Sequence, residues 1–308
     1  MVLGKRRPKM SKSLILMMSL VLSAILCGCS GSRTSSLTRA QTGSVAGTGG
    51  SATTQVIATR QGAQKETSWE AAVQTVLNYY GDINQKKYED AYTTWEGNGS
   101  ASGQSYKQFK RGYADTVAVS VLVGESNEQG ASPIQVPVRL ISVVNEPAAN
   151  KQGVRQYAGT YTVRHTAEGW RIASANISRV SSVLPPRELS TPSRLLSSYY
   201  QEINRRQFAR AYTYWEDLGK ASNQSFAHFE QGYADTDHVV VSLGRPQVEG
   251  AAGSLFASIP AVIVATNNNQ TKQSFRGTYV LRRSDIPPFD KLGWRIYSAK
   301  IKQTSSSG

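Results

Sequence analysis

The chain has 308 residues, 35 basic and 21 acidic side chains, a formal charge of +14 and a hydrophobic fraction of 39%. That is enough chain for two cores of ordinary domain size, and it is too apolar overall to stay disordered throughout. The two cysteines, Cys27 and Cys29, both lie near the start. The rest of the chain therefore has no disulfide and no thiol chemistry available to it.

The first twelve residues carry Lys5, Arg6, Arg7, Lys9 and Lys12 and no acid, and an apolar run from Leu14 to Leu26 follows. A basic segment and then a short apolar segment is the pattern of an export signal, and the run is short for a membrane-spanning helix. It ends Leu26-Cys27-Gly28-Cys29, which resembles the bacterial lipobox. That resemblance implies cleavage after residue 28, a diacylglyceryl group and palmitate on Cys29, and retention at a membrane outside the cytoplasm. The partner so implied is the lipid bilayer, at about 0.8 kcal/mol per buried CH2 of the acyl chains. Ser30 after the cysteine is compatible with sorting to an outer membrane in a diderm cell.

Residues 29–66 are mostly Ser, Thr, Gly, Ala and Gln. Such a segment buries too little apolar surface to offset the entropy of ordering it, and reads as a tether with a mean reach of about 30 Å. The leader takes with it five basic residues and no acid, which leaves +9 on the remainder. That charge suits anionic envelope polymers or a membrane protein. The basic residues are scattered and no nucleic-acid motif accompanies them, so nucleic acid is not an expected partner.

From residue 67 the chain is written twice. Tyr79–Thr116 aligns with Tyr199–Thr236 at a constant offset, and 20 of the 38 positions are identical. Gly159-Thr160-Tyr161 recurs as Gly277-Thr278-Tyr279, and Gly169-Trp170-Arg171-Ile172 as Gly293-Trp294-Arg295-Ile296. A period near 120 residues is a domain, not a solenoid repeat. The expected division is copy one at 67–180, a Pro-containing linker at 181–191, copy two at 192–304 and a tail at 305–308.

In chain order, Thr67-Ser68-Trp69-Glu70 reads as a capping box opening a helix whose face is Val73, Val76, Leu77 and Tyr80. A second helix presents Tyr88, Ala91, Tyr92 and Trp95, and a short third carries Tyr106, Phe109 and Tyr113. The alternation of Val117, Val119, Val121 and Val123 predicts a strand. Further strands are expected at 134–144, 156–165 and 169–177. After Pro185-Pro186, Thr191-Pro192 marks the next helix start. Copy two repeats the helices through Leu196, Tyr200, Phe208, Tyr212, Trp215, Phe226, Phe229 and Tyr233. Its strands are expected at 238–243, 258–265, 274–282 and 293–301.

Helices followed by consecutive antiparallel strands make an α+β fold, a curved sheet around helices. The Tyr-Tyr-x-x-Ile-Asn run, the later Phe-x-x-Gly-Tyr-Ala-Asp-Thr and the Gly-Trp-Arg-Ile strand resemble the nuclear-transport-factor-2-like superfamily, which includes ketosteroid isomerase. The resemblance implies two tandem cone-shaped domains. It also implies pairing of cones through their sheets, here as a pairing of the two domains within one chain. The fold hosts enzymes, binders and accessory domains alike, so it does not fix a function.

An isomerase-like site needs a carboxylate in the cone and donors for an oxyanion. Asp115 and Asp235 recur in both copies, as do Glu96 and Glu216. Asp115 is in phase with Val117, Val119, Val121 and Val123, which would set it at the mouth of the cone. The opposing reading makes Asp-Thr a turn between helix and strand. Tyr80, Tyr92, Trp95 and Tyr113, with Tyr200, Tyr212, Trp215 and Tyr233, either line a pocket or fill the core. No catalytic residue is assigned. His165, His228 and His238 have no counterparts and no ligand spacing, so neither a metal nor a cofactor is expected. The reading is a non-enzymatic binding module for a partner protein, wall polymer or small apolar ligand. The alternatives are an isomerase-, cyclase- or hydratase-like enzyme and an accessory factor in wall assembly.

Overall fold

The computed structural model describes residues 68–124 and 132–304. Cys29, the expected leader, tether and tail, and Thr67 lie outside the described residues. No helix among those described is long and apolar enough to cross a membrane.

Copy one contains α1 (Ser68–Asn84), α2 (Tyr88–Thr93) and α3 (Tyr106–Gly112), then β1 (Thr116–Val123), β2 (Ile134–Glu146), β3 (Lys151–Thr166) and β4 (Gly169–Val180). Copy two repeats this with α4 (Pro192–Asn204), α5 (Phe208–Tyr212) and α6 (Phe226–Gln231). Its strands are β5 (Thr236–Leu243), β6 (Gln247–Ala251), β7 (Ser254–Asn267), β8 (Lys272–Ser284) and β9 (Arg295–Gln303). The sheets run β1-β2-β3-β4 and β5-β7-β8-β9, antiparallel throughout, with β6 extending the second beside β7. Both copies are thus α+β cones, helices first and sheet second.

Local chemistry accounts for the elements. Val73, Val76, Leu77, Tyr80 and Ile83 are all buried on one face of α1. The Ser105 side chain accepts from Gln108 N, and the Gln108 side chain accepts from Ser105 N, closing a capping box on α3. Thr191 caps α4 by accepting from Arg194 N, with Pro192 in the first turn. The repeated Ile-Asn pair has a specific use. Asn84 Nδ2 donates to Val119 O at 2.8 Å and Asn84 Oδ1 accepts from Val119 N at 2.7 Å, so one side-chain amide pairs with the edge strand as another strand would. Asn204 does the same with Val239, at 2.8 Å in both directions.

Three expectations need correction. Trp95 and Trp215 follow the ends of α2 and α5 and form isolated bridges with Ile172 and Ile296, docking the helical layer onto the last strand of each sheet. β6 is a strand where none was expected; every one of its residues is exposed, so it gives no alternating pattern. The second half of the linker is also built in: Arg187–Leu189 forms a 3-10 turn, Leu189 is buried, and its carbonyl accepts from Trp294 N at 2.9 Å.

The copies touch through unlike surfaces. α1 packs beside α6, and β1 packs against α5. Val123 N, on the edge strand of copy one, donates to Thr213 Oγ1 at 3.4 Å. Arg139 from β2 and Arg210 from α5 converge on Glu188 of the linker turn, at 4.0 Å and 2.6 Å. Among the described residues no strand of one sheet hydrogen-bonds a strand of the other. On the outward side of the first sheet, Leu122 and Ile141 are fully buried and join an apolar cluster that runs through both copies. The second sheet's outward Val240 and Val262 are 54% and 39% exposed.

Candidate functional site

The cone interiors come first, because the recurring aromatics converge there. In copy one Tyr79 and Tyr80 project from α1, Tyr113 follows α3, and Tyr161 comes from β3. The Tyr79 and Tyr113 hydroxyls are 2.6 Å apart, as are those of Tyr80 and Tyr161. Copy two repeats both pairs, Tyr199 with Tyr233 at 3.0 Å and Tyr200 with Tyr279 at 2.6 Å. The rings meet edge-on: Tyr79 and Trp95 centroids are 6.0 Å apart at 81°, and Tyr199 and Trp215 are 6.3 Å apart at 77°. Edge-to-face packing of this kind is favourable, and each phenol has a partner for its polar end. Burial is the chief reason the hydroxyls of Tyr79, Tyr80, Tyr199 and Tyr200 are held well above the usual phenol range, with neighbouring tyrosines adding to it. The Trp95 and Trp215 indole N–H groups are aimed towards Tyr79 and Tyr199 but complete no hydrogen bond of good geometry.

The remaining sequence candidates fall elsewhere. Tyr92 and Tyr212 close loops on the helical side, donating to Gln104 O at 2.7 Å and Gln224 O at 2.8 Å. Asp115 and Asp235 are exposed. Their backbone carbonyls accept from Asn145 N and Asn268 N at 2.7 and 2.9 Å, at the root of the sheet. The reason is a β-bulge. Thr116 pairs with Val144 but Ala118 with Val143, which leaves Val117 as an extra residue and shifts the phase of everything before it. The same shift lies between Thr236 and His238. In-phase counting from Val119 therefore put the carboxylates on the wrong side, and the cone-mouth placement of Asp115 and Asp235 does not hold.

The other recurring acids are anchored to the sheet. Glu96 pairs with Arg164 at 3.0 Å and Glu216 with Arg282 at 2.8 Å. Sequence reading missed Tyr79, Tyr199, Tyr161, Tyr279, Arg164 and Arg282. The repeated Gly-Thr-Tyr and Tyr-Tyr motifs already held the signal for the four tyrosines.

A concave site does exist between the copies. A cavity of about 420 Å³ is bounded by β1 on one side and by the 215–218 loop, the end of β8 and the start of β9 on the other. Its polar groups include Ser120, Glu216, Asp217, Arg282, Arg283 and Arg295, and its apolar wall includes Val121, Trp215, Leu218 and Leu292. Arg295 is 9% exposed. It donates to Ser120 Oγ across the copies at 2.6 Å, and to Trp294 O and Leu292 O at 2.9 and 3.3 Å. Burial pushes its guanidinium down to about 10, still charged at neutral pH. Burial raises the Glu216 carboxyl, against the opposing pull of Arg282. No group of three or more His, Cys, Asp or Glu among the described residues is placed to hold a metal ion.

No protein-family model matches the chain, and no curated protein matches it. Solved structures with a similar backbone include a Novosphingobium aromaticivorans protein provisionally assigned as a scytalone dehydratase. It is 6% identical, covers 37% of this chain and 81% of its own, and has a TM-score of 0.30. A nuclear transport factor 2-like superfamily protein of Salmonella enterica is 16% identical over 37% of this chain and 96% of its own, with a TM-score of 0.23. An NTF2-like protein involved in plasmid conjugation is 9% identical and covers 76% of this chain and 96% of its own, again with a TM-score of 0.23. At these scores none bears on what this chain binds or does; the cone description rests on its own element order and strand registers.

Proposed function

We propose that the chain is an envelope lipoprotein, anchored through acylated Cys29 and spaced from the bilayer by residues 29–66, whose tandem cones form a binding module that catalyses no reaction. The anchor rests on the basic leader, its apolar run and Leu26-Cys27-Gly28-Cys29. The observation that carries the binding reading is the occupation of both cone interiors by their own tyrosines, paired hydroxyl to hydroxyl. An oxyanion site needs donors open to the reacting atom; each pair leaves one hydroxyl proton unused, but Tyr80, Tyr161, Tyr200 and Tyr279 are buried among packed rings. Binding is then a matter of the outer surfaces and the cavity between copies. The partner classes that suit the charge are a membrane protein and an anionic wall polymer.

The test is made in a bacterial host. Wild type should incorporate labelled palmitate and fractionate with membranes, and Cys29→Ser should do neither. Photo-cross-linking residues placed at exposed Val240 and Tyr106 should then trap a discrete envelope partner. Label-free wild type would overturn the anchor. Turnover of an apolar enone or alcohol by the purified chain, lost in Tyr80→Phe, would overturn the non-enzymatic reading.

A further inference from the structure

We propose that the cavity between the copies is a binding site for a small amphiphilic oxyanion, its carboxylate or phosphate group seated against Arg295 and Arg283 and its apolar body against Trp215 and Leu292. This deepens the binding-module reading and rests on it, but does not depend on the anchor.

Three observations carry it. First, Arg295 is buried at the cavity wall, yet its hydrogen-bond acceptors are a hydroxyl and two backbone carbonyls, all neutral. Among the described residues it makes no ion pair within 4.0 Å: Glu216 pairs with Arg282 and Glu188 with Arg210, both attracting Arg295 from farther off, and Asp217 also lines the cavity. A buried cation with no counter-ion in direct contact is costly, and a guanidinium presents a planar fork suited to an oxyanion. Second, Arg283 also lines the cavity. Its Nε is buried with no hydrogen-bond partner while its guanidinium sits 5.4 Å from the centroid of the Trp294 ring. Third, the arrangement belongs to the junction and is not a by-product of the duplication. Arg171, the copy-one counterpart of Arg295, is half-buried and donates to its neighbour's carbonyl, Trp170 O, at 3.0 Å. The counterpart of Ser120 is the exposed Val240. A volume of about 420 Å³ falls within the span of small-molecule sites, and the mixed wall fits a ligand with one charged end.

The experiment is calorimetric titration of the full chain in detergent with phenyl phosphate, benzoate, inorganic phosphate and, as a neutral control, benzyl alcohol. Phenyl phosphate and benzoate should bind, inorganic phosphate more weakly, and benzyl alcohol not measurably. Arg283→Gln, whose side chain is only half-buried, should fold normally and weaken the aromatic anions about tenfold or more, the effect of losing a charge-assisted contact. Arg295→Lys keeps the charge but not the fork, and should weaken them too; if it fails to fold, Arg283→Gln and Ser120→Ala carry the reading. No binding by wild type, or binding unchanged in folded Arg283→Gln, overturns the site. Cross-linking of an envelope partner in the same preparation would show that the binding module survives that failure. Loss of both would sink the two together.

Discussion

The hydroxyls of Tyr80 and Tyr161 meet at 2.6 Å inside the first cone, and those of Tyr200 and Tyr279 repeat the same contact in the second. In each pair one oxygen donates and the other accepts, so neither can be removed without stranding its partner. Tyr80→Phe should destabilise the chain by about 1–3 kcal/mol, the cost of an unsatisfied buried polar group. Tyr80→Phe with Tyr161→Phe should cost less than the sum of the single changes. Urea unfolding of the four proteins in the cycle measures the coupling; strict additivity would mean the hydroxyls do not depend on one another.

Gly219 offers a backbone test. Its φ is +96°, and a Cβ there would meet the Tyr212 ring at 2.0 Å. Gly219→Ala combines left-handed strain with a clash and should destabilise by about 1–3 kcal/mol. The matching change at Gly99, at φ +95° against the Tyr92 ring, should behave alike. Denaturant midpoints read both.

Unequal outer faces predict unequal mutants. Leu122 is fully buried, whereas Val240 is 54% exposed. Leu122→Ala should cost about 2–5 kcal/mol, as for other buried leucines. Val240→Ala should fall within about 0.5 kcal/mol of wild type. Similar losses at the two positions would mean that the second sheet face is covered in solution.

The interface between copies also carries a pH dependence. Glu230, on α6, has its carboxyl raised from 4.5 to about 7, by burial first and by Glu70 of α1 second. A raised carboxyl pKa in the folded state means that the folded state binds the extra proton. Its stabilising contribution is therefore full below about pH 4.5 and is lost as pH rises through about 7. Melting temperature should fall between pH 5 and pH 8 in wild type, and Glu230→Gln should flatten that slope. An unchanged slope would place the titration elsewhere.

Much of this architecture was legible in the residues. The duplication, the three-helix order, the β1 alternation and the Thr191-Pro192 start follow from spacing and capping chemistry, because those are local. What failed was non-local. The bulge at Val117 is set by pairing with β2, and no single-strand pattern reveals it, so the phase carried Asp115 to the wrong face. Trp95 looked helical because Tyr88, Ala91 and Tyr92 precede it at helical spacing, but its backbone is claimed by Ile172. The cavity between the copies could not be read at all. Arg295 looks like one of two equivalent arginines until Ser120 is brought to it from the other copy.

Leu122 and Ile141 have one further implication, which concerns the order in which the chain is made. Copy one leaves the ribosome first, and the apolar cluster that Leu122 and Ile141 share with copy two is complete only once copy two is made. Until then that cluster lacks its copy-two members, and the newborn first cone should be more open to other chains and to chaperones. A message truncated after residue 180 should accordingly yield protein that precipitates or stays chaperone-bound. The second cone, which the ribosome supplies after the first, is in this sense the lid that finishes it.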